Sequence, residues 1–141
     1  MAAEVYTKFS HKLRMDNMEI RQMIDKFTTF AVFEREADNK QSVKLWKIYE
    51  QPFKNMIGIM GKFFIGDRMF NTVRSIEGRS NVNYVSCRAY LYYTDIVYNG
   101  NDTQKDKISF LMIDIEGKGK VTFGEYQNFW KQFLAMYGQI L

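Results

Sequence analysis

The chain is poor in the residues that usually anchor a metal or redox centre: one cysteine, one histidine and one proline in 141 residues. A single cysteine, Cys87, excludes an internal disulfide, and it fits a reducing compartment. One histidine and one cysteine exclude a zinc site of the usual Cys/His spacing. No Gly-rich phosphate loop of the P-loop or dinucleotide type is present, and nothing in the sequence groups two carboxylates in a pocket. No apolar run approaches the ~18 residues that a membrane span requires. The nearest stretch, 56–65, is interrupted by Gly58, Gly61 and Lys62. Positive charge exceeds negative by four, but the twenty Lys and Arg residues are scattered. That pattern reads as a solvated surface rather than a nucleic-acid site.

What is abundant is apolar and aromatic. Hydrophobic residues make up 46% of the chain, with 12 Phe, 9 Tyr, 2 Trp and 9 Met. Such a composition folds, and the length suffices for a domain with a real core. Residues 1–15 have Val5, Phe9 and Leu13 at helical spacing between basic residues. An ordinary first helix is the preferred reading over an organelle presequence, because Glu4 is acidic. Asp16 followed by Glu19 signals a helix start. Met18, Met23, Phe27 and Phe30 then predict a helix over about 17–34. Pro52 ends or kinks a helix, and a short helical segment is expected over 53–64. A further helix is expected over 84–98, with Asn83 as its cap and Asn99-Gly100 as its stop. Asn101 and Asp102 restart the chain, and Thr103 with Asp106 offers another helix start. A long apolar helix follows Thr122, which forms a T-x-x-E capping box with Glu125.

The segment before that helix, DIEGKGKVTFGE over 114–125, resembles the twelve-residue loop of an EF-hand. Asp114 stands at position 1, Glu116 at 3, Gly119 at the turn position 6, Val121 at 8, Thr122 at 9 and Glu125 at 12. Two further stretches share features with it. SIEGRSNVNYVS over 75–86 repeats Ile-Glu-Gly, a base at position 5 and a valine at position 8. EADNKQSVKLWK over 36–47 keeps an acid at position 3 and a valine at position 8. Both intervals are 39 residues (75 − 36 and 114 − 75), which suggests a repeated helix–loop–helix unit.

The resemblance implies an all-α fold of EF-hand-like helix pairs. It implies a possible degenerate unit within an N-terminal region 1–66 and a pair over 67–141. It also implies a short two-stranded contact between loops, for which Val82 and Val121 are the expected pairing residues, since a β-branched side chain suits a strand. As for metal, the candidate ligands are Asp114, Glu116, the Lys120 carbonyl, Thr122 and Glu125. Lys118 stands at position 5, where an oxygen is expected. Held near the ion, its ammonium opposes binding by roughly 4 kcal/mol at about 4 Å and an effective dielectric near 20. The loops at 36–47 and 75–86 are poorer still in ligands, with Lys40, Lys44 and Lys47 at positions 5, 9 and 12 of one, and Ser75, Arg79 and Ser86 at positions 1, 5 and 12 of the other, where only Glu77 carries negative charge.

These features predict a non-enzymatic structural or adaptor subunit, largely independent of calcium and needing no cofactor. It is expected to bind a protein partner, a helix or a larger assembly, through a hydrophobic groove. Tyr126, Trp130, Phe133 and Tyr137 are the expected partner-binding residues, because the last helix is more apolar than a narrow core stripe requires. The alternative is a weak calcium sensor using loop 114–125 alone. An intracellular location is expected, with the cytoplasm (cytoskeleton or cilium included) and the mitochondrion both open.

Overall fold

The structure is a computed structural model and describes residues 13–35, 44–76 and 82–140. The expected first helix and the front of loop 36–47 lie outside these residues, as does the middle of loop 75–86. Among the described residues there are six α-helices and three short strands. Helix α1 (Asn17–Phe30) runs into strand β1 (Val32–Arg35). Strand β2 (Lys44–Ile48) leads into α2 (Glu50–Met56) and a 3₁₀ turn (Gly58–Lys62). Helix α3 (Phe64–Ser75), strand β3 (Val85–Ser86) and α4 (Cys87–Asn99) follow, then α5 (Asp102–Ile113) and α6 (Phe123–Ile140).

The helix starts are set by side-chain caps. Asp16 accepts the Glu19 amide at 2.8 Å, which satisfies one of the orphan N–H groups of the first turn. Asn101 and Gln104 form a reciprocal capping box on α5. The cap is therefore this pair, and not Thr103 with Asp106. Ser86, rather than Asn83, caps α4 by accepting the Ala89 amide at 3.1 Å. Gly58 adopts a φ of 77°, a conformation an L residue resists, and there the expected continuous helix breaks into α2 and the 3₁₀ turn. Helix α1 also stops early. Val32 and Phe33 pair in β1 instead of extending it, and Met18 stays 71% exposed at its start.

The described chain is mostly helical, as expected of an all-α fold, and it adds one small three-stranded sheet. The sheet is antiparallel, in the order β1-β2-β3. The contact between the second and third strands joins Lys47 to Ser86 and Ile48 to Val85. It ties the α1–α2 unit to the α3–α4 unit. The expected Val82–Val121 pairing is not formed, and both residues lie outside strands. The physical reason is burial. Ile48 and Val85 are both fully buried β-branched residues. Val82 instead offers its carbonyl to Arg74 at 2.7 Å, and Val121 packs against the hydrophobic cluster under α6.

Two hydrophobic clusters hold the helices together. The larger collects Phe27, Ile48, Phe53, Phe70, Val73, Ile76 and Val85 from α1 through β3, and reaches Ile108 on α5. The smaller joins Ile65 of α3 and Ile113 of α5 to Phe129 and Met136 of α6. Met69 and Met112 touch both clusters, so α3 and α5 form the wall between them. Arg68 on α3 reinforces that wall. Its guanidinium donates to the Met112 carbonyl at 2.6 Å, at the end of α5, and lies over the Phe64 and Phe129 rings.

Candidate functional site

The segment between α5 and α6 is a tight loop built on Asp114. Its carboxylate is 7% exposed and accepts the Lys118 amide at 3.1 Å and the Gly119 amide at 2.8 Å. Gly119 has a φ of 79°, which permits this sharp return. At the far end, the Glu125 amide donates to Thr122 Oγ1 at 3.1 Å, and that hydroxyl donates to Glu125 Oε1 at 3.1 Å. This contact starts α6 with the Thr122–Glu125 pair.

Lys118 closes the loop. Its ammonium lies 2.9 Å from Glu125 Oε1 and 3.6 Å from Glu116 Oε2. The Glu125 hydrogen bond raises the Lys118 pKa above its ordinary value, and Lys118 holds the Glu125 carboxyl below its ordinary value. As it stands the loop already holds one cation, the Lys118 ammonium, against Glu125 and Glu116, and this charge opposes a second cation at the same carboxylates. Lys120 is exposed and the Glu116 side chain is 74% exposed. Among the described residues no group of three or more His, Cys, Asp or Glu is placed to hold a metal.

The four aromatic residues expected to bind a partner all lie on α6, but on two faces. Phe133 is half-buried and belongs to the wall of an apolar pocket of about 260 Å³ between α3, α4, α5 and α6. Met60, Met69, Met112, Phe129 and Trp130 line it with Phe133. Tyr93 reaches this pocket from α4, and burial pushes its hydroxyl up to about 12. Tyr126 and Tyr137 are 48% and 51% exposed on the outer side of the helix, and Trp130, 40% exposed, stands at the boundary, packed edge-on against Phe129 and Phe133. Phe123 and Leu134 accompany them at 74% and 66%.

A second apolar surface escaped the sequence reading. Phe33 on β1 and Trp46 on β2 sit opposite each other in the ladder and stack with ring centroids 5.1 Å apart. Both are more than one-third exposed. The sequence carried no signal for it, since apolar Trp46 is exposed while charged Lys47 beside it is buried. Lys47 is itself unusual: its ammonium donates to the Arg35 carbonyl at 3.0 Å and lies over the Tyr84 ring.

No helix among the described residues is long and apolar enough to cross a membrane. Comparison with protein-family models, curated proteins and solved structures finds no match to the chain.

Proposed function

We propose that the chain is a non-enzymatic, EF-hand-like structural or adaptor subunit that binds a protein partner without calcium control. The observation that carries this reading is α6. It has 18 residues and buries only Phe129 and Met136, yet five large apolar side chains face outward beside an apolar pocket. Exposed apolar surface of that extent on a water-facing helix marks a docking site. The partner is an amphipathic helix, whose apolar face fits a Met- and aromatic-lined groove.

Calcium independence is supported by the Lys118 bridge. In a calcium sensor the ion supplies the energy that opens the groove. Here an ammonium already stands against Glu125 in the first turn of α6. The absence of catalysis is supported by the side chains at hand. Burial pushes the Cys87 thiol up, away from the reactive thiolate, and the pocket wall is otherwise apolar apart from Tyr93 and Ser109.

The reading is tested by hydrophobic-dye binding and by titration with a synthetic amphipathic helix bearing Leu and Trp at i, i+4 and i+7. Binding of equal strength in calcium and in chelator is expected. Binding seen only in calcium would support a sensor instead, and no binding in either would remove the adaptor reading.

A further inference from the structure

The outward apolar residues of α6 are Phe123, Tyr126, Trp130, Leu134 and Tyr137. At about 100° per residue they fall within an arc of roughly 80°. The inward residues Phe129, Phe133, Met136 and Ile140 occupy the adjoining arc, about 20° from Tyr126, and Trp130 packs against Phe129 and Phe133. Gln127, Asn128, Lys131, Gln132 and Gln139 take the remaining side and are exposed. The outer stripe extends the apolar face of α6 beyond what the core covers, and it repeats every three or four residues as helix–helix seams do.

The seam is symmetric about its centre. The steps from Phe123 to Tyr126, Trp130, Leu134 and Tyr137 are 3, 4, 4 and 3. An antiparallel copy of the helix, related by a two-fold axis at Trp130, places Phe123 opposite Tyr137 and Tyr126 opposite Leu134. Trp130 meets its own counterpart. No charge enters the seam, because the only ionisable residues of α6 with formal charge are Glu125 and Lys131. Each helix N-terminus lies beside the other's C-terminus, which is the favourable alignment of the two dipoles. A closed two-fold contact requires a self-complementary patch, and this stripe is one.

We propose that α6 joins two copies of this chain, packed antiparallel through the outer stripe with Trp130 at the two-fold axis. The proposal deepens the partner-binding reading and rests on it, since it names a second copy as the helix that covers this face. The five side chains expose on the order of 500 Å² per copy, taking aromatic areas of 150–250 Å² and the fractions above. Two copies then bury about 1,000 Å², above most lattice contacts and near the lower bound of specific interfaces. The apolar pocket lined by Phe133 adjoins the seam, with Trp130 in the wall of both.

Sedimentation velocity of the full chain over a concentration series tests the proposal. A dimer is expected, and Leu134→Glu or Phe123→Glu should weaken self-association by roughly tenfold or more. Both residues are at least 66% exposed, so the helical circular dichroism should be unchanged. In a Cys87→Ser background, Trp130→Cys should give a disulfide-linked dimer on mild oxidation, whereas Phe123→Cys should not. Efficient linkage through Phe123→Cys would mean a parallel arrangement and overturn the proposal. A dimer unaffected by both glutamate variants would overturn it too. A wild-type chain that stays monomeric up to its solubility limit overturns it in either of two ways. If it still binds dye and the model helix, the partner-binding reading stands and the stripe faces another protein; if it binds neither, both fall.

Discussion

Lys118 and Glu125 are joined across the turn that leads into α6, with the ammonium 2.9 Å from the carboxylate. The bridge links the middle of the loop to the first turn of the helix. It comes in addition to the amide contacts of Asp114 and the hydroxyl contact of Thr122. Helix α6 buries few residues of its own, so its direction depends strongly on how this turn is fixed. The Lys118 ammonium places one positive charge against both Glu116 and Glu125.

Replacing that charge should change what the loop binds. Lys118→Asp removes the internal cation, frees Glu116 and Glu125, and adds a carboxylate at the fifth loop position. Calorimetry should register calcium binding in the variant that is absent from the wild type. Failure to gain any binding would contradict the assignment of Lys118 to that position.

The bridge also predicts a pH dependence. The folded-state pKa of Glu125 is depressed by Lys118, so its contribution is present above the ordinary carboxylate value and is lost as pH falls through the depressed one. The pKa of Lys118 is raised by Glu125, so its contribution is present below 10.5 and is lost as pH rises through the raised value. The melting temperature of the wild type should exceed that of Lys118→Met only slightly, by about one or two degrees at most, at neutral pH, because the pair is solvent-exposed. The gap should close in acid, once Glu125 is protonated. Salt should narrow it as well, because the pair faces water. Melting curves of both proteins from acid to neutral pH check this.

Tyr93 gives a second pH effect, of opposite origin. Burial raises its hydroxyl from 10.0 to about 12, so the folded protein holds a proton that the unfolded chain releases between those values. Stability should fall with rising pH across that interval. Tyr93→Phe removes the effect, and the variant should lose less stability than wild type between pH 10 and 12. Urea melts at several alkaline pH values measure it.

Truncations should separate core from surface. Phe27 and Phe53 are at most 1% exposed within the larger cluster. Each change to Ala should cost about 3–5 kcal/mol by chemical denaturation. Phe123→Ala, at 74% exposure, should stay within about 0.5 kcal/mol for the isolated monomer.

Local chemistry made much of this fold readable. The Asp16 cap, the Asn99-Gly100 stop, the restart at Asn101 and the Thr122–Glu125 pair are all signals carried within four residues, and each has its counterpart in the structure. The strands were not readable. Val32 and Phe33 continue the apolar pattern of α1, and four residues are too few to show an alternation. The loop pairing was misplaced because the valine shared at position 8 of 75–86 and 114–125 set the expectation, whereas the strand that pairs with Val85 comes from 44–48. Pairing is decided instead by which β-branched residues the packing buries, and those are Ile48 and Val85. At the candidate site, the sequence marked Lys118 as the wrong residue for a metal ligand. That its ammonium reaches back to Glu116 and forward to Glu125 depends on the turn at Gly119, which spacing alone does not convey. The surplus of apolar residues on α6 was plain, but its division into an inward face and an outward stripe required the packing of Phe129 and Met136.

The most direct test of the central claim is calorimetric calcium titration of the full wild-type chain, with thermal melting in calcium and in chelator beside it. The account predicts no binding heat and superimposable melts, because the Lys118 ammonium already neutralises Glu125. Binding tighter than ~0.1 mM, the weak edge of the sensor range, with a calcium-dependent rise in melting temperature would contradict it and make the 114–125 loop a working metal site.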